Sequence, residues 1–352
     1  MTLYINGRFL TQRVTGVQRF AIEIIKELDK QTEIKFTILV PKEYEGSHSF
    51  ENIKIKKIGN FSGHLWEQLN LPLYIKERPL INFCNTAPVL KKNQIVVIHD
   101  AAVYASPKGF STLFRIWYKI MFYFISKLSR KILTISQFSA RELTKYLKIN
   151  EKKLDFISEG KEHFDNIIEN ENVIKKFGLR KHKFILAVSS LHPNKNFKAL
   201  VEATQYLNDG DFDIVIAGGT DTKVFNIANI ENHNIRKLGY VTDEELKGLY
   251  LNAGCFVFPS IYEGFGLPPL EAMSTGCPVI VSEVGPMHEV CGNAAIYFNP
   301  YDSKELSEKI KIIMNNDEER KDLQSKGLRQ AQKYSWSKAA AQLIDQAKML
   351  RI

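Results

Sequence analysis

The feature that most constrains this chain is a repeated alternation of short apolar runs with longer segments of helical periodicity. That pattern belongs to parallel sheets joined by crossover helices. It occurs in two series. In the first, strands are predicted at 3–5, 36–40, 53–55, 80–83, 95–98 and 132–135, with helices at 16–28, 108–131 and 137–147. In the second, strands are predicted at 184–188, 213–217, 235–238, 255–258, 279–281 and 295–298, with helices at 197–206, 243–252, 268–275, 303–314 and 318–332. A polar, Asn/Glu-rich stretch at 158–182 separates them and carries no strand signal. With 352 residues, the chain is long enough for two domains that each bury a core. The expectation is an α/β protein of two Rossmann-like, doubly wound parallel-sheet domains, residues 1–160 and 161–335, the first completed by a C-terminal helix at 336–352. Ligands of such folds bind outside the carboxyl ends of the strands, so an interdomain cleft is expected to hold the chemistry.

Composition removes other classes. A chain with 44% hydrophobic and 25% charged residues is neither disordered nor collagen-like. No run approaches the roughly 20 apolar residues of a membrane span, and the opening MTLYINGRFL lacks a secretory pattern, so a cytoplasmic protein is expected. Cys84, Cys255, Cys277 and Cys291 show no C-x-x-C spacing and read as buried thiols. Asp209, Asp211 and Asp213 imitate a calcium loop but lack its glycine and closing glutamate, so no metal site is expected. Charge is polarised. Residues 1–160 hold 25 of the 48 Lys+Arg and 14 of the 39 Asp+Glu, a balance of +11, while the remainder is close to neutral. A basic first half suits a nucleic acid, anionic lipid or a phosphorylated substrate equally.

The strongest local concentration of that charge is KGFSTLFRIWYKIMFYFISKLSRK, residues 108–131, with six basic residues, no acidic ones and seven aromatics. As a helix it would align Phe110, Phe114, Trp117, Met121, Phe124 and Leu128 on one face, with Arg115, Lys119 and Lys127 reaching outward. Two readings stand: a core helix with solvated cations, or a basic amphipathic helix lying on a membrane surface or against a lipid-linked acceptor through Arg115, Trp117, Lys119 and Phe124.

The sharpest chemical constellation is PSIYEGFGLPPLEAMSTGCPVI, residues 259–280, directly after a predicted strand. Gly264 and Gly266 permit close backbone approach, and Pro268 and Pro269 suit a first helical turn. The amides of Gly264, Phe265, Gly266 and Leu267 then face a position where the helix dipole favours a diphosphate. Glu263 precedes the loop, and Glu271 follows within the helix, where its carboxylate can accept from neutral hydroxyls. Two glutamates with seven residues between them across a glycine turn resemble the glutamate pair of retaining glycosyltransferase family 4, enzymes with the GT-B fold.

The resemblance extends along the chain. It implies that Glu263 lies beside a donor sugar, that residues 264–267 hold its diphosphate and that Glu271 binds the ribose. Thr15–Phe20, TGVQRF, resembles the family's first glycine loop, implying cleft roles for Gly16 and Arg19. VVIHDAAVY places His99 where the family has its cleft histidine. Lys195 matches the phosphate-binding lysine, while Ser190 and Asn194 occupy places where an arginine is usual, leaving the clamp one cation short or completed by Arg19. Gly218, Tyr240 and Val241 match segments lining the nucleobase pocket.

Sugar transfer builds negative charge on a departing diphosphate, so Lys195 and the loop amides suit the leaving group, while Glu263 and His99 suit the sugar. The implied activity is retaining, metal-independent transfer of a mannose- or rhamnose-like hexosyl group. Its donor is a nucleotide-diphosphate sugar, bound as substrate with no separate cofactor. Its acceptor is a saccharide, such as an O-antigen or capsule glycan on a polyprenyl diphosphate at the inner membrane, with no nucleic acid involved. The alternatives are a non-enzymatic peripheral membrane or nucleic-acid binder and a GT-B nucleotide-sugar epimerase; each leaves part of the constellation idle.

Overall fold

The computed structural model describes residues 2–189, 192–207, 212–219 and 235–350. The chain divides into two compact units, Met1–Gly160 with Ser335–Ile352, and Lys161–Tyr334.

The first unit is built on a seven-stranded, wholly parallel sheet: β1 (Thr2–Asn6), β2 (Lys35–Pro41), β3 (Lys54–Ile58), β4 (Leu80–Asn82), β5 (Gln94–Val97), β6 (Lys131–Thr134) and β7 (Leu154–Phe156). Their spatial order is β3-β2-β1-β4-β5-β6-β7. β5 and β6 are buried throughout, as their near-continuous apolar sequences require when helices cover both faces. Register is set by pairs such as Leu3 with Phe36 and Ile95 with Lys131. One core layer joins Val96, Ile98, Met121, Phe122, Ile125 and Leu143. Another gathers Leu39, Ile58, Leu71 and Ile75 around Trp66, whose indole N–H donates to the Ile58 carbonyl at 2.8 Å. The chain end returns to this unit as the Trp336–Ala347 helix, where buried Trp336 packs edge-on to Phe20 at 5.8 Å.

The second unit carries a six-stranded parallel sheet: β8 (Phe184–Ser189), β9 (Asp213–Gly218), β10 (Ile235–Gly239), β11 (Cys255–Phe258), β12 (Val279–Ser282) and β13 (Ala295–Phe298), in the order β10-β9-β8-β11-β12-β13. Its core joins Ile185, Leu200, Ile216, Val257, Ile280, Leu306 and Ile310. In both sheets the direction of strand addition reverses once, between β1 and β4 and between β8 and β11. The loops leaving those strands therefore diverge, and the gap between them is where such a sheet accepts a ligand.

Several elements lie outside the sequence expectations, among them short helices at Ala102–Ala105, Glu162–Asp165, Val173–Lys176 and Met287–Cys291. A helical segment spans Gly63–Leu65, Trp66–Asn70 and Leu71–Ile75, with a π-turn at its centre and Pro72 in the first turn of its last part. Edge strand β7 is only three residues long, too short to leave a periodic signal.

The Thr112–Leu128 helix corrects the expected packing face. Its buried positions are Met121, Phe122, Ile125 and Ser126, with Tyr118 half-buried. The aromatic ladder runs at i+4 through Phe110, Phe114, Tyr118 and Phe122, with ring centroids 5.3, 4.1 and 5.6 Å apart. Leu113, Ile116, Ile120 and Tyr123 are 49–79% exposed, flanked by Trp117 and Phe124 at 37% and 40%. Apolar side chains thus run around most of the helix, and a single-stripe reading chose the wrong stripe. The cations depart too. Lys119 lies over the Tyr104 ring at 5.1 Å, and Arg115 is half-buried with its Nε enclosed, whereas Lys127 is exposed.

Candidate active site

In the second unit the switch point brings Lys195 and Glu263 together across 68 residues. Lys195 closes a 3₁₀ turn, Pro193–Lys195, after β8; His192 Nδ1 accepts from the Asn194 amide at 3.3 Å, and Asn196 in left-handed conformation starts the Phe197–Ala203 helix. Glu263 lies on the loop after β11. That loop is fastened to the lysine turn by Ile261 N–H donating to the Asn194 carbonyl at 2.8 Å. The result is a contact of 2.6 Å from Lys195 Nζ to Glu263 Oε1, with the ammonium also 5.4 Å above the Phe258 ring. Both side chains keep some solvent access, 21% and 12%.

The next residues make the turn that the glycines require. Gly266 has φ +115°, and a Cβ there would meet the Met287 methyl at 2.6 Å. It is the N-cap of the Leu267–Ser274 helix and has no side chain of its own to bond the first-turn amides. Pro268 and Pro269 have no N–H, which concentrates the available donors on the residues before them. Gly264, Phe265, Gly266 and Leu267 are all buried as residues.

Glu271 is more enclosed than an exposed ribose ligand would be, at 7%. His163 Nε2 lies 2.9 Å from Oε1, and the Tyr250 hydroxyl donates to Oε2 at 3.4 Å. Burial, helped by this carboxylate, pushes the Tyr250 phenol well above its usual range, so it stays a donor. His163 went unnoticed in the sequence because it falls in the polar stretch between the two strand series.

The other second-unit candidates fall at the same carboxyl edge. Gly218 ends β9 with φ +122°, Tyr240 follows β10 and is 71% exposed, and Val241 is buried beside it. Ser190 lies outside the described residues, as do Asp209 and Asp211; Asp213 opens β9 and pairs with Arg236 at 3.3 Å. Among the described residues no group of three or more His, Cys, Asp or Glu stands ready to hold a metal ion.

At the carboxyl edge of the first sheet, His99 is 3% exposed. Its Nε2 lies 2.8 Å from the Phe83 carbonyl, its amide donates to Asn85 Oδ1 at 2.7 Å, and Phe20 meets the ring edge-on at 5.0 Å. Burial lowers its pKa to about 4 despite the opposing pull of the Phe83 carbonyl, so the imidazole is neutral near pH 7. With Nε2 donating to Phe83, Nδ1 remains as an acceptor. Gly16 begins the Gly16–Asp29 helix; it is exposed, and a Cβ there would meet nothing within 4 Å. Arg19 is half-buried on the same turn.

The first switch point holds a cluster that the sequence reading missed. Glu67, fully buried, accepts from Asn6 Nδ2 at 2.7 Å, Thr86 Oγ1 at 2.7 Å and Arg8 Nε at 3.2 Å, and His64 Nδ1 approaches it at 3.4 Å. Burial alone would raise this carboxyl; His64, Arg8, Thr86 and Asn6 outweigh it and hold it below the usual range. Arg8 also donates to Thr86 at 2.8 Å, and a small cavity lined by these groups, Gln12 and Cys84 opens beside them. A signal did exist: Glu67 is the sole Asp, Glu, Lys or Arg between Lys57 and Lys76. Cys84 is half-buried, unlike the other three thiols, which are buried as expected.

Comparison with known proteins places this geometry. Residues 169–330 match the family model of glycosyl transferases group 1. The sequence is 28% identical to the O-antigen chain mannosyltransferase B of Escherichia coli over 96% of this chain and 97% of that one. It is 32% identical to the O-antigen chain mannosyltransferase RfbU of Salmonella typhimurium over 65% of this chain and 63% of the relative. Among solved structures, sucrose-phosphate synthase from Thermosynechococcus elongatus matches with a TM-score of 0.78 at 16% identity, covering 99% of this chain and 98% of that one. Residues 169–330 of this chain thus belong to the group 1 glycosyl transferases, its two parallel α/β units have the GT-B fold, and the chain is related to the O-antigen mannosyltransferases.

Proposed function

We propose that the protein transfers a hexosyl group, mannose by preference, from a nucleotide-diphosphate sugar to a lipid-linked saccharide of a bacterial surface glycan, with retention and without a divalent ion. The names of its relatives support the sugar and the glycan class. The observation that carries the reaction is the 2.6 Å contact between Lys195 and Glu263 beside the glycine turn that starts the Leu267–Ser274 helix.

That contact gives the site two electrostatic states. Without donor, the ammonium neutralises the carboxylate. A diphosphate docking on the residue 264–267 amides offers Lys195 a stronger partner, and its shift releases Glu263 to orient the sugar. As the glycosidic C–O bond breaks, charge grows on the leaving phosphate oxygen, where the ammonium and amides stabilise it most. The acceptor hydroxyl attacks from the same face and its proton passes to that departing phosphate, so the anomeric configuration is kept. Cations and amides supply the neutralisation that a metal ion gives elsewhere. Glu271, held by His163 and Tyr250, keeps lone pairs for the ribose; Gly218, Tyr240 and Val241 line the nucleobase; the roles proposed for Gly16 and Arg19 are with the phosphates. Neutral His99 accepts a sugar hydroxyl through Nδ1 and adds no positive charge.

The first unit is proposed to take the acceptor, and the exposed apolar ridge of the Thr112–Leu128 helix to rest on the cytoplasmic face of the membrane carrying it. No described helix is long and apolar enough to cross a membrane, and Leu113, Ile116, Ile120 and Tyr123 present the apolar area that surface binding uses. The deciding experiment supplies GDP-mannose and UDP- and dTDP-hexoses with a polyprenyl-diphosphate-linked glycan. Transfer from one donor, retained in EDTA and giving the donor's anomeric configuration by NMR, is expected; hydrolysis or transfer with inversion would overturn the mechanism.

A further inference from the structure

The first sheet has a second built concavity, at its amino-terminal edge, away from His99 and the carboxyl ends of the strands. It is a basin of about 890 Å³ lined by Lys76, Arg78, Lys92, Arg130 and Lys153, with Glu77 as the only carboxylate in its wall. These cations come from the segments entering β4, β5, β6 and β7. Like charges gathered in one concavity repel, and the field they focus attracts anions.

The arrangement is held in place by the fold. Arg78 Nη1 donates to the Tyr4 hydroxyl at 3.0 Å, and its guanidinium lies 5.8 Å from the centre of that ring. The Arg130 amide donates to the Lys92 carbonyl at 3.0 Å, tying two cationic segments together. Lys153 donates to the Ser126 and Lys127 carbonyls at 3.3 and 2.8 Å, capping the Thr112–Leu128 helix. Burial and the neighbouring Lys127 charge push its ammonium down, as expected where positive charge is crowded. The floor is Ser129, fully buried, whose hydroxyl accepts from Gln94 Nε2 at 3.1 Å. Among the described residues none of the five cations forms an ion pair with a carboxylate, in contrast to Lys195.

We infer that this basin is a second anion site of the protein, one that takes phosphate groups, presented either by the head groups of an anionic lipid surface or by a soluble phosphate compound. Phosphate matches it because Arg78 and Arg130 offer forked donors and Lys76 and Lys92 add point charges around a concave floor. The inference rests on the first unit alone and does not depend on the sugar-transfer reading.

The test compares R78E/K92E/R130E with its parent, both carrying Lys195→Ala so that the donor site binds phosphate less and by the same amount in each. Inorganic pyrophosphate is titrated by thermal shift, and sedimentation is measured with phosphatidylcholine vesicles containing or lacking phosphatidylglycerol. The reversal is expected to weaken apparent affinity by about tenfold or more, with the parent's binding falling as salt rises. Loss in the vesicle arm alone assigns the site to lipid head groups, and loss in the pyrophosphate arm to a soluble phosphate compound. A folded variant with unchanged affinity in both arms overturns the inference. R78A/K92A/R130A replaces the reversal should that variant fail to fold. I116S/I120S, which removes part of the exposed apolar ridge, should lose vesicle binding while pyrophosphate binding stays, so failure of the membrane reading is told apart from failure of the basin.

Discussion

The two units share a parallel-sheet plan and each has one switch point, yet the switch points treat charge in opposite ways. In the second unit, Lys195 and Glu263 meet at 2.6 Å with part of each side chain in solvent, next to a helix that starts at a glycine. In the first, Arg8 and Glu67 are buried, and Arg8, Asn6 and Thr86 all donate to Glu67 Oε1, with His64 3.4 Å from Oε2. A partly open pair with a competing anion partner can exchange, whereas a buried pair bound on several sides is held. On the proposed mechanism one switch point changes state during a cycle, and the other fixes the shape of the edge around it.

Substitutions that treat the pairs alike should therefore have different readouts. The largest effect is expected from Arg8→Ala, which leaves Glu67 buried without its cation and should lower stability by about 3–5 kcal/mol in urea unfolding; a loss below about 1 kcal/mol would remove the distinction. Lys195→Ala should leave the urea midpoint nearly unchanged and cut kcat about 10²- to 10³-fold, the scale of a lost donor to a developing oxyanion. Equal turnover in the variant would mean that Lys195 serves only to hold Glu263.

His99 sharpens the contrast through pH. Its folded pKa of about 4 lies below the usual value of 6.5, so the unfolded chain takes up the proton first. The stability tied to the neutral imidazole is complete above about pH 6.5 and is lost as pH falls towards 4, up to about 3 kcal/mol by linkage. His99→Asn should flatten stability over that interval; an identical profile in chemical denaturation would show that the ring is not held neutral.

The smallest expected effects separate two glycines. Gly266→Ala forces a side chain to φ +115° against Met287 and should cost about 1–3 kcal/mol. Gly16→Ala meets open space and should change stability by no more than about 0.5 kcal/mol. If Gly16 is there for ligand approach, the same change lowers kcat/KM for the donor; unaltered kinetics would make it an ordinary helix-start residue.

The glutamate pair and the glycine turn were legible because their chemistry is local: residues 263–271 carry the turn, the helix start and both carboxylates within nine positions. The strands were legible because a buried parallel sheet demands continuous apolar runs. The Thr112–Leu128 face was not, since a helix apolar almost all round offers several stripes and only its neighbours choose one. Arg8 and Glu67 were not, because 59 residues separate partners that neither periodicity nor spacing connects. The occupied state of Glu271 depended likewise on His163, 108 positions away.

The sequence by itself determined two α/β units, their order and the residues of the second unit's glycine turn, because backbone hydrogen bonding and apolar periodicity act over a few positions. The tertiary structure alone decided which charges meet and which lack a carboxylate among the described residues: Lys195 on Glu263, Arg8 on Glu67, and five cations gathered without an ion pair at the amino-terminal edge of the first sheet. Coulombic interaction depends on distance and solvent access in space, and neither is written in the order of residues.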